Sequence, residues 1–242
     1  MELVSPICFI YALTAMPFAS SPADTQPLAP AQLVLAGFYL IHYANRALLS
    51  PLRTPSRSKA HISVTISGIL FNIVNGIFLG SYLHSDVAST FLADALTRPV
   101  FWAGITIWAL GFAGNILHDE VLLNIRRNAK TKGKAKAKSD DDEPNNKLTE
   151  YYGIPHGYLY TYISFPNYLC EWFEWFGFAL AAAPIPLLTS FDTLVSSVQP
   201  PWIFFSSEVF LMIARAYKGH RWYLEKFPDY PKDRKAVIPY IF

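Results

Sequence analysis

Hydrophobic residues fall in six blocks, each close to the roughly 20 residues that a helix needs to cross a bilayer. They run Glu2–Ala19, Pro30–Leu49, Ile62–Leu83, Pro99–Leu117, Ile163–Ala183 and Trp202–Tyr217. No period-2 alternation competes with them, so the pattern predicts an all-α polytopic membrane bundle of about six helices. The first block also reads as a short signal peptide ending in Phe18-Ala19-Ser20-Ser21, but Glu2 stands where a basic residue is expected.

The polar positions between the blocks alternate in charge. Lys and Arg collect after the second span (Arg53, Arg57, Lys59), after the fourth (Arg126, Arg127, Lys130) and after the sixth (Lys218, Arg221, Lys226). The positive-inside rule places those ends in the cytosol. Residues 128–147 join a basic run to Asp140, Asp141, Asp142 and Glu143, which predicts a solvated, disordered charged loop within a single domain of residues 1–242.

Composition agrees with that reading. The chain is 52% hydrophobic and only 16% charged, where a soluble domain carries about 25% charged residues. A net charge of +2 does not suggest nucleic acid as a partner. Cys8 and Cys170 lie in apolar spans and read as free thiols. Nothing in the sequence sets an oligomeric state.

Within the spans, the polar residues gather at one depth. Asn167, Glu171 and Glu174 lie on one helical face, which Trp175 and Phe178 continue. Carboxylates inside an apolar span cost free energy and usually face a bundle interior or a wet cavity, though a purely structural role in joining helices is the alternative. Glu2, His42, Tyr43, Asn45 and Arg46, then Asn115, His118 and Asp119, and finally Arg215 fall at the same cytosolic level. This predicts a cavity open to the cytosol. Its arginines suit phosphate, its amides and carboxylates suit ribose, and its aromatic remainder suits a flat apolar substrate from the lipid. There is no GxGxxG, GxxxxGK[ST] or GxSxG motif. The six histidines are dispersed, without HxxxH or CxxC spacing, so no metal site is expected.

The stretch YYGIPHGYLYTYISFPNYLCEWFEWFGFAL and the tail RAYKGHRWYLEKFPDYPKDRKAVIPYIF closely resemble the steroid 5α-reductases, the 3-oxo-5α-steroid 4-dehydrogenases of the endoplasmic reticulum. GNILHDEVLLNIRR and IHYANR resemble the same family. The resemblance implies NADPH as hydride donor, a steroid or other lipid substrate taken from the bilayer, and reduction of the Δ4 double bond of a 3-oxosteroid. It implies a catalytic pair, Tyr43 and Glu2, with Glu2 orienting the Tyr43 hydroxyl as charge develops on the C3 oxygen. It further implies cofactor contacts at Arg57, Asn115, Asp119, Arg126, Tyr152, Asn167, Arg215 and Tyr223, and substrate contacts at Glu171, Trp175 and Phe71.

Three departures accompany the resemblance. The family pattern has one more span ahead of the Glu motif, which this chain is expected to lack. Gly153 replaces a frequent basic residue, and Gly219 stands where vertebrate members carry His. Enoyl-CoA and polyprenol-type reductases of the same superfamily are the related alternatives. An isoprenylcysteine-type methyltransferase would resemble RHPxY where this chain has SFPNY.

Overall fold

The computed structural model describes residues 1–15, 27–54, 61–136 and 152–242. Among these, the regular elements are helical: α1 (Val4–Ala15), α2 (Pro30–Tyr43), α3 (Ser50–Arg53), α4 (Ile62–Leu83), α5 (Asp86–Leu92), α6 (Pro99–Lys136), α7 (Pro166–Ala182), α8 (Phe191–Ser197) and α9 (Pro200–Lys226). Each of the six apolar blocks holds one long helix. Two helical stretches, Ile62–Leu83 and Pro99–Ala129, are long and apolar enough to cross a membrane. Most of their surface faces outward, as expected for helices solvated by lipid.

Helix ends follow local chemistry. Pro30, Pro166 and Pro200 open α2, α7 and α9 at positions where the missing N–H costs nothing. Pro166 also explains why α7 starts later than the apolar block: Ile163–Phe165 lie ahead of the helix and join the C-terminal tail instead. Ser164 and Phe165 donate their N–H groups to the Lys235 and Ala236 carbonyls at 2.9 and 3.0 Å.

α6 runs past the end of its apolar block at Leu117, because nothing there breaks a helix: Leu, Asn, Ile and Arg continue it without proline. Its 38 residues span about 57 Å. The helix takes in the first nine residues of the loop expected at 128–147, and 137–147 lie outside the described residues.

Two helix pairs pack with backbones close together. A Cβ on Gly76 or Gly80 would overlap the Ser5 or Phe9 carbonyl of α1, and Gly104 meets Gly177 across the α6–α7 seam in the same way. Small residues four apart allow this approach in lipid, where packing drives helix association. Trp175, Tyr39, Phe9 and Phe178 fill the centre of the bundle. Cys8 and Cys170 are free.

Candidate active site

The polar residues of α6 and α7 meet as an antiparallel ladder. Asn115 and Asp119 are one helical turn apart, as are Asn167 and Glu171, so each pair shares a face. Asn115 donates to Glu171 Oε2 at 3.0 Å and to the Asn167 carbonyl at 3.3 Å. Asn167 donates to Asp119 Oδ1 at 3.0 Å. The predicted α7 stripe is buried throughout, from Asn167 through Glu171, Glu174 and Trp175 to Phe178.

Arg46 stands over this ladder. It lies on a π-helical turn, Ala44–Leu49, that extends α2 and carries one more residue per turn than an α-helix. Its guanidinium is 3.6 Å from Glu2, 3.8 Å from Asp119 and 3.9 Å from Glu171. These are charge contacts longer than hydrogen bonds.

Arg46 and Tyr168 form the shared wall of two cavities. The first, about 360 Å³, is lined by Asp119, Arg126, Tyr152, Asn167 and Tyr223. The second, about 430 Å³, is lined by Glu2, Tyr43, Phe71, Glu171, Glu208 and Arg215.

In the second cavity the Tyr43 hydroxyl is held from behind. Asn75 of α4 donates to Tyr43 Oη at 2.9 Å and to Tyr39 Oη at 3.3 Å, and Ser5 Oγ meets Tyr39 Oη at 2.6 Å. An amide N–H can only donate, so Asn75 occupies an acceptor site on Tyr43 Oη. Glu2 and Tyr43 line the same space without bonding each other. Glu2 pairs with Arg46.

Beneath Tyr43, His42 Nδ1 and Glu174 Oε1 are 2.6 Å apart, and both residues are buried. Trp175 packs edge-on against His42 with ring centroids 4.6 Å apart and lies in the core rather than on a cavity wall.

The C-terminal tail packs behind the first cavity, against the start of α7 and the end of α9. Ser164 Oγ meets His220 Nδ1 at 2.6 Å and Tyr230 Oη at 2.7 Å, and Arg234 donates to the Pro155 carbonyl at 3.0 Å. Burial, with Lys235 nearby, pushes the His220 imidazole below its ordinary value. Burial and the neighbouring Tyr230 push the Tyr223 phenol up to about 12, so it remains a hydrogen-bond donor at neutral pH. Tyr152 sits edge-on to Trp222, with centroids 4.9 Å apart. A Cβ on Gly219 would overlap the Phe165 ring, which lines this cavity.

Of the cofactor positions expected from sequence, Asp119, Arg126, Tyr152, Asn167 and Tyr223 line the first cavity. Arg215 faces the second, Asn115 acts one layer behind by holding Glu171, and Arg57 lies outside the described residues. Of the substrate positions, Glu171 and Phe71 line the second cavity and Trp175 does not. Arg46 and Asn75 were absent from the expected catalytic and ligand-binding sets. Each is a polar residue inside an apolar span, which is the signal that could have found them.

The family model for 3-oxo-5-alpha-steroid 4-dehydrogenase matches residues 142–242. The chain is 40% identical to an uncharacterized protein of Schizosaccharomyces pombe, over 100% of this chain and 82% of that protein. It is 32% identical to 3-oxo-5-alpha-steroid 4-dehydrogenase 1 of Homo sapiens, over 96% of this chain and 75% of that protein. It is also 32% identical to a steroid 5-alpha-reductase of Solanum lycopersicum, over 95% of this chain and 76% of that protein. The chain therefore belongs to the 3-oxo-5-alpha-steroid 4-dehydrogenase (steroid 5-alpha-reductase) family.

Proposed function

We propose that the protein reduces the Δ4 double bond of 3-oxosteroids with NADPH. The observation that supports this best is Tyr43, which lines a cavity that shares Arg46 and Tyr168 as a wall with a neighbouring cavity bearing Arg126.

The first cavity suits the nucleotide. Arg46 and Arg126 offer guanidinium forks for phosphate oxygens. Asn167 Oδ1 is buried there without a partner among the described residues, an acceptor suited to a ribose hydroxyl or an amide. NADPH bound in this cavity would supply a hydride to C5 of a steroid in its neighbour, and C4 would then take a proton from solvent to complete the reduction. Tyr43 donates to the C3 oxygen and strengthens that bond as negative charge gathers there, while Asn75 keeps the phenol aimed. Glu2 shares the wall and holds Arg46 in place. Glu171, fixed by Asn115, stands at the junction between the cavities.

The protein is read as one polytopic domain of six spans in the endoplasmic reticulum membrane, with the first cavity open to the cytosol and the steroid arriving from the bilayer. The alternating Lys and Arg residues support that orientation. Protease added to sealed microsomes is expected to cut within residues 128–147, and protection of that stretch while luminal connections are cut would reverse the orientation. The reaction is tested by product analysis. Membranes containing the protein, given NADPH and a Δ4-3-oxosteroid, are expected to form the 5α-dihydro product, with much less from NADH. A steroid recovered unchanged while an enoyl-CoA is reduced would move the reading to the related reductases.

A further inference from the structure

Glu174 has no exposed surface and lines neither cavity. Its Oε1 is bonded to His42 Nδ1 at 2.6 Å, and its Oε2 is buried without a partner among the described residues. An acid placed so deep in an apolar span carries a large desolvation cost, and such residues usually serve a site.

The group it serves is His42. This residue lines the second cavity beside Tyr43, and the two rings meet edge to face with centroids 5.0 Å apart. Nδ1 is engaged by Glu174, so Nε2, which no described residue bonds, is the nitrogen left for a ligand. The ring is fixed on its other sides by Trp175, 4.6 Å away edge-on, and by Phe112 at 6.3 Å. Glu174 is fixed in turn, because α6 and α7 touch there through backbone: a Cβ on Gly111 would overlap the Glu174 N–H. A buried carboxylate on one ring nitrogen, with the other left for a ligand, orients an imidazole for proton transfer.

We propose that His42 is a further catalytic residue, which hands C4 of the substrate the proton that completes the reduction. Glu174 is its positioning residue: it aims the ring and offsets the charge of the imidazolium. The proposal rests on the steroid reading of the second cavity. Once C5 has taken the hydride, the former C4–C5 π pair lies in a C3–C4 enolate whose oxygen Tyr43 holds. The enolate pair at C4 takes the Nε2 proton, the carbonyl re-forms at C3, and a neutral imidazole remains with Nδ1–H bonded to Glu174. Water restores the Nε2 proton, so solvent is its source. C4 adjoins the carbonyl carbon, and His42 adjoins Tyr43 on the same wall.

The test follows C4 without nucleotide. Full-length protein in lipid nanodiscs is given a 5α-dihydro-3-oxosteroid in D₂O. Deuterium at C4 is read by NMR, and steroid binding is measured alongside. The parent is expected to exchange one C4 hydrogen, on a single face. His42→Gln, whose amide can still donate to Glu174, is expected to bind the steroid as the parent does and to exchange about 10²–10⁴-fold more slowly, the range for a general acid or base. Glu174→Gln keeps a bond to the ring without the charge and should fall in between. Parental exchange in His42→Gln overturns the proposal, as does a parent that binds the steroid yet exchanges neither C4 hydrogen or both alike. Should His42→Gln fail to fold, reduction of a Δ4-3-oxosteroid by the parent in D₂O decides: deuterium on one C4 face is expected, and a mixture of faces overturns the proposal. A parent that binds no 3-oxosteroid refutes the steroid reading and this proposal together. One that exchanges a single C4 face but reduces no Δ4-3-oxosteroid with NADPH refutes the reaction and leaves His42 its proton transfer.

Discussion

The two cavities flanking Arg46 are held in different ways. Around the first, polar groups bond to one another at 2.6 to 3.0 Å: Asn167 to Asp119, and Ser164 to His220 and Tyr230. The tail buckles this side to the start of α7 through backbone bonds. Around the second, direct bonds come from the layer behind, Asn75 to Tyr43 at 2.9 Å and Asn115 to Glu171 at 3.0 Å, while Arg46 stands 3.6 and 3.9 Å from Glu2 and Glu171. The first cavity is thus pinned by its own rim and the C-terminal tail, and the second by buried amides of α4 and α6. The family model covers 142–242, the part of the chain that supplies α7, α9 and the tail. The shared part thus supplies half of the first cavity's lining, the rest coming from α6 and the α2–α3 stretch, while Glu2, Tyr43 of α2 and Phe71 of α4 contribute walls of the second.

The sharpest test of this division is Tyr43→Phe. It belongs to the second cavity and to the transition state, so single-turnover NADPH oxidation with a Δ4-3-oxosteroid should slow about 10²–10³-fold while NADPH affinity is nearly unchanged. A parental rate would remove Tyr43 from the mechanism. Arg126→Ala probes the other side. Loss of one charge-assisted contact should weaken NADPH binding about 10- to 100-fold and change saturated turnover far less. If NADH binding falls equally, Arg126 does not read the extra phosphate.

A smaller effect is expected at the seam between tail and cavity. In Gly219→Ala the new methyl pushes the Phe165 ring into the first cavity. Cofactor affinity should drop several-fold, with a stability cost of about 1–3 kcal/mol in thermal unfolding. Steroid binding measured without nucleotide should hold, and a loss there would mean that the cavities are not separable.

The smallest effect concerns pH. His220 has a folded value below its unfolded one, so the unfolded chain binds the extra proton more readily. Its contribution to stability is complete above the unfolded value near 6.5 and is lost as pH falls toward the folded value. Hydrogen exchange in the Arg234–Val237 segment should therefore quicken between pH 7.5 and 5.5. That response should flatten in His220→Asn.

Much of this architecture is legible from residue pattern alone. All six apolar blocks hold helices, and four-residue spacing correctly puts Asn167 and Glu171 on one buried face. What escapes is whatever hydropathy does not encode. α6 continues beyond Leu117 because helix propensity persists after apolar character ends. The role of Arg46 depends on a π turn that no spacing rule announces. Asn75 becomes meaningful only once α4 lies against α2, because its partner is 32 residues away in the chain. Trp175 shares the stripe of Glu171 yet packs into the core, since a helix face wide enough for both meets a cavity at one edge and protein at the other.

The length of α6 has a consequence for kinetics. A helix of about 57 Å outruns a hydrocarbon layer of about 30 Å, so a bundle seated in a bilayer as proposed would hold Arg126 above the oily phase. The two reactants then never share a solvent: the charged one stays in water and the greasy one in lipid, and they meet across a phase boundary. Turnover would follow the mole fraction of steroid in the membrane rather than its amount per litre. Diluting the bilayer with inert phospholipid at fixed total steroid should then slow the enzyme, while diluting the buffer around the same vesicles at a fixed NADPH concentration should not.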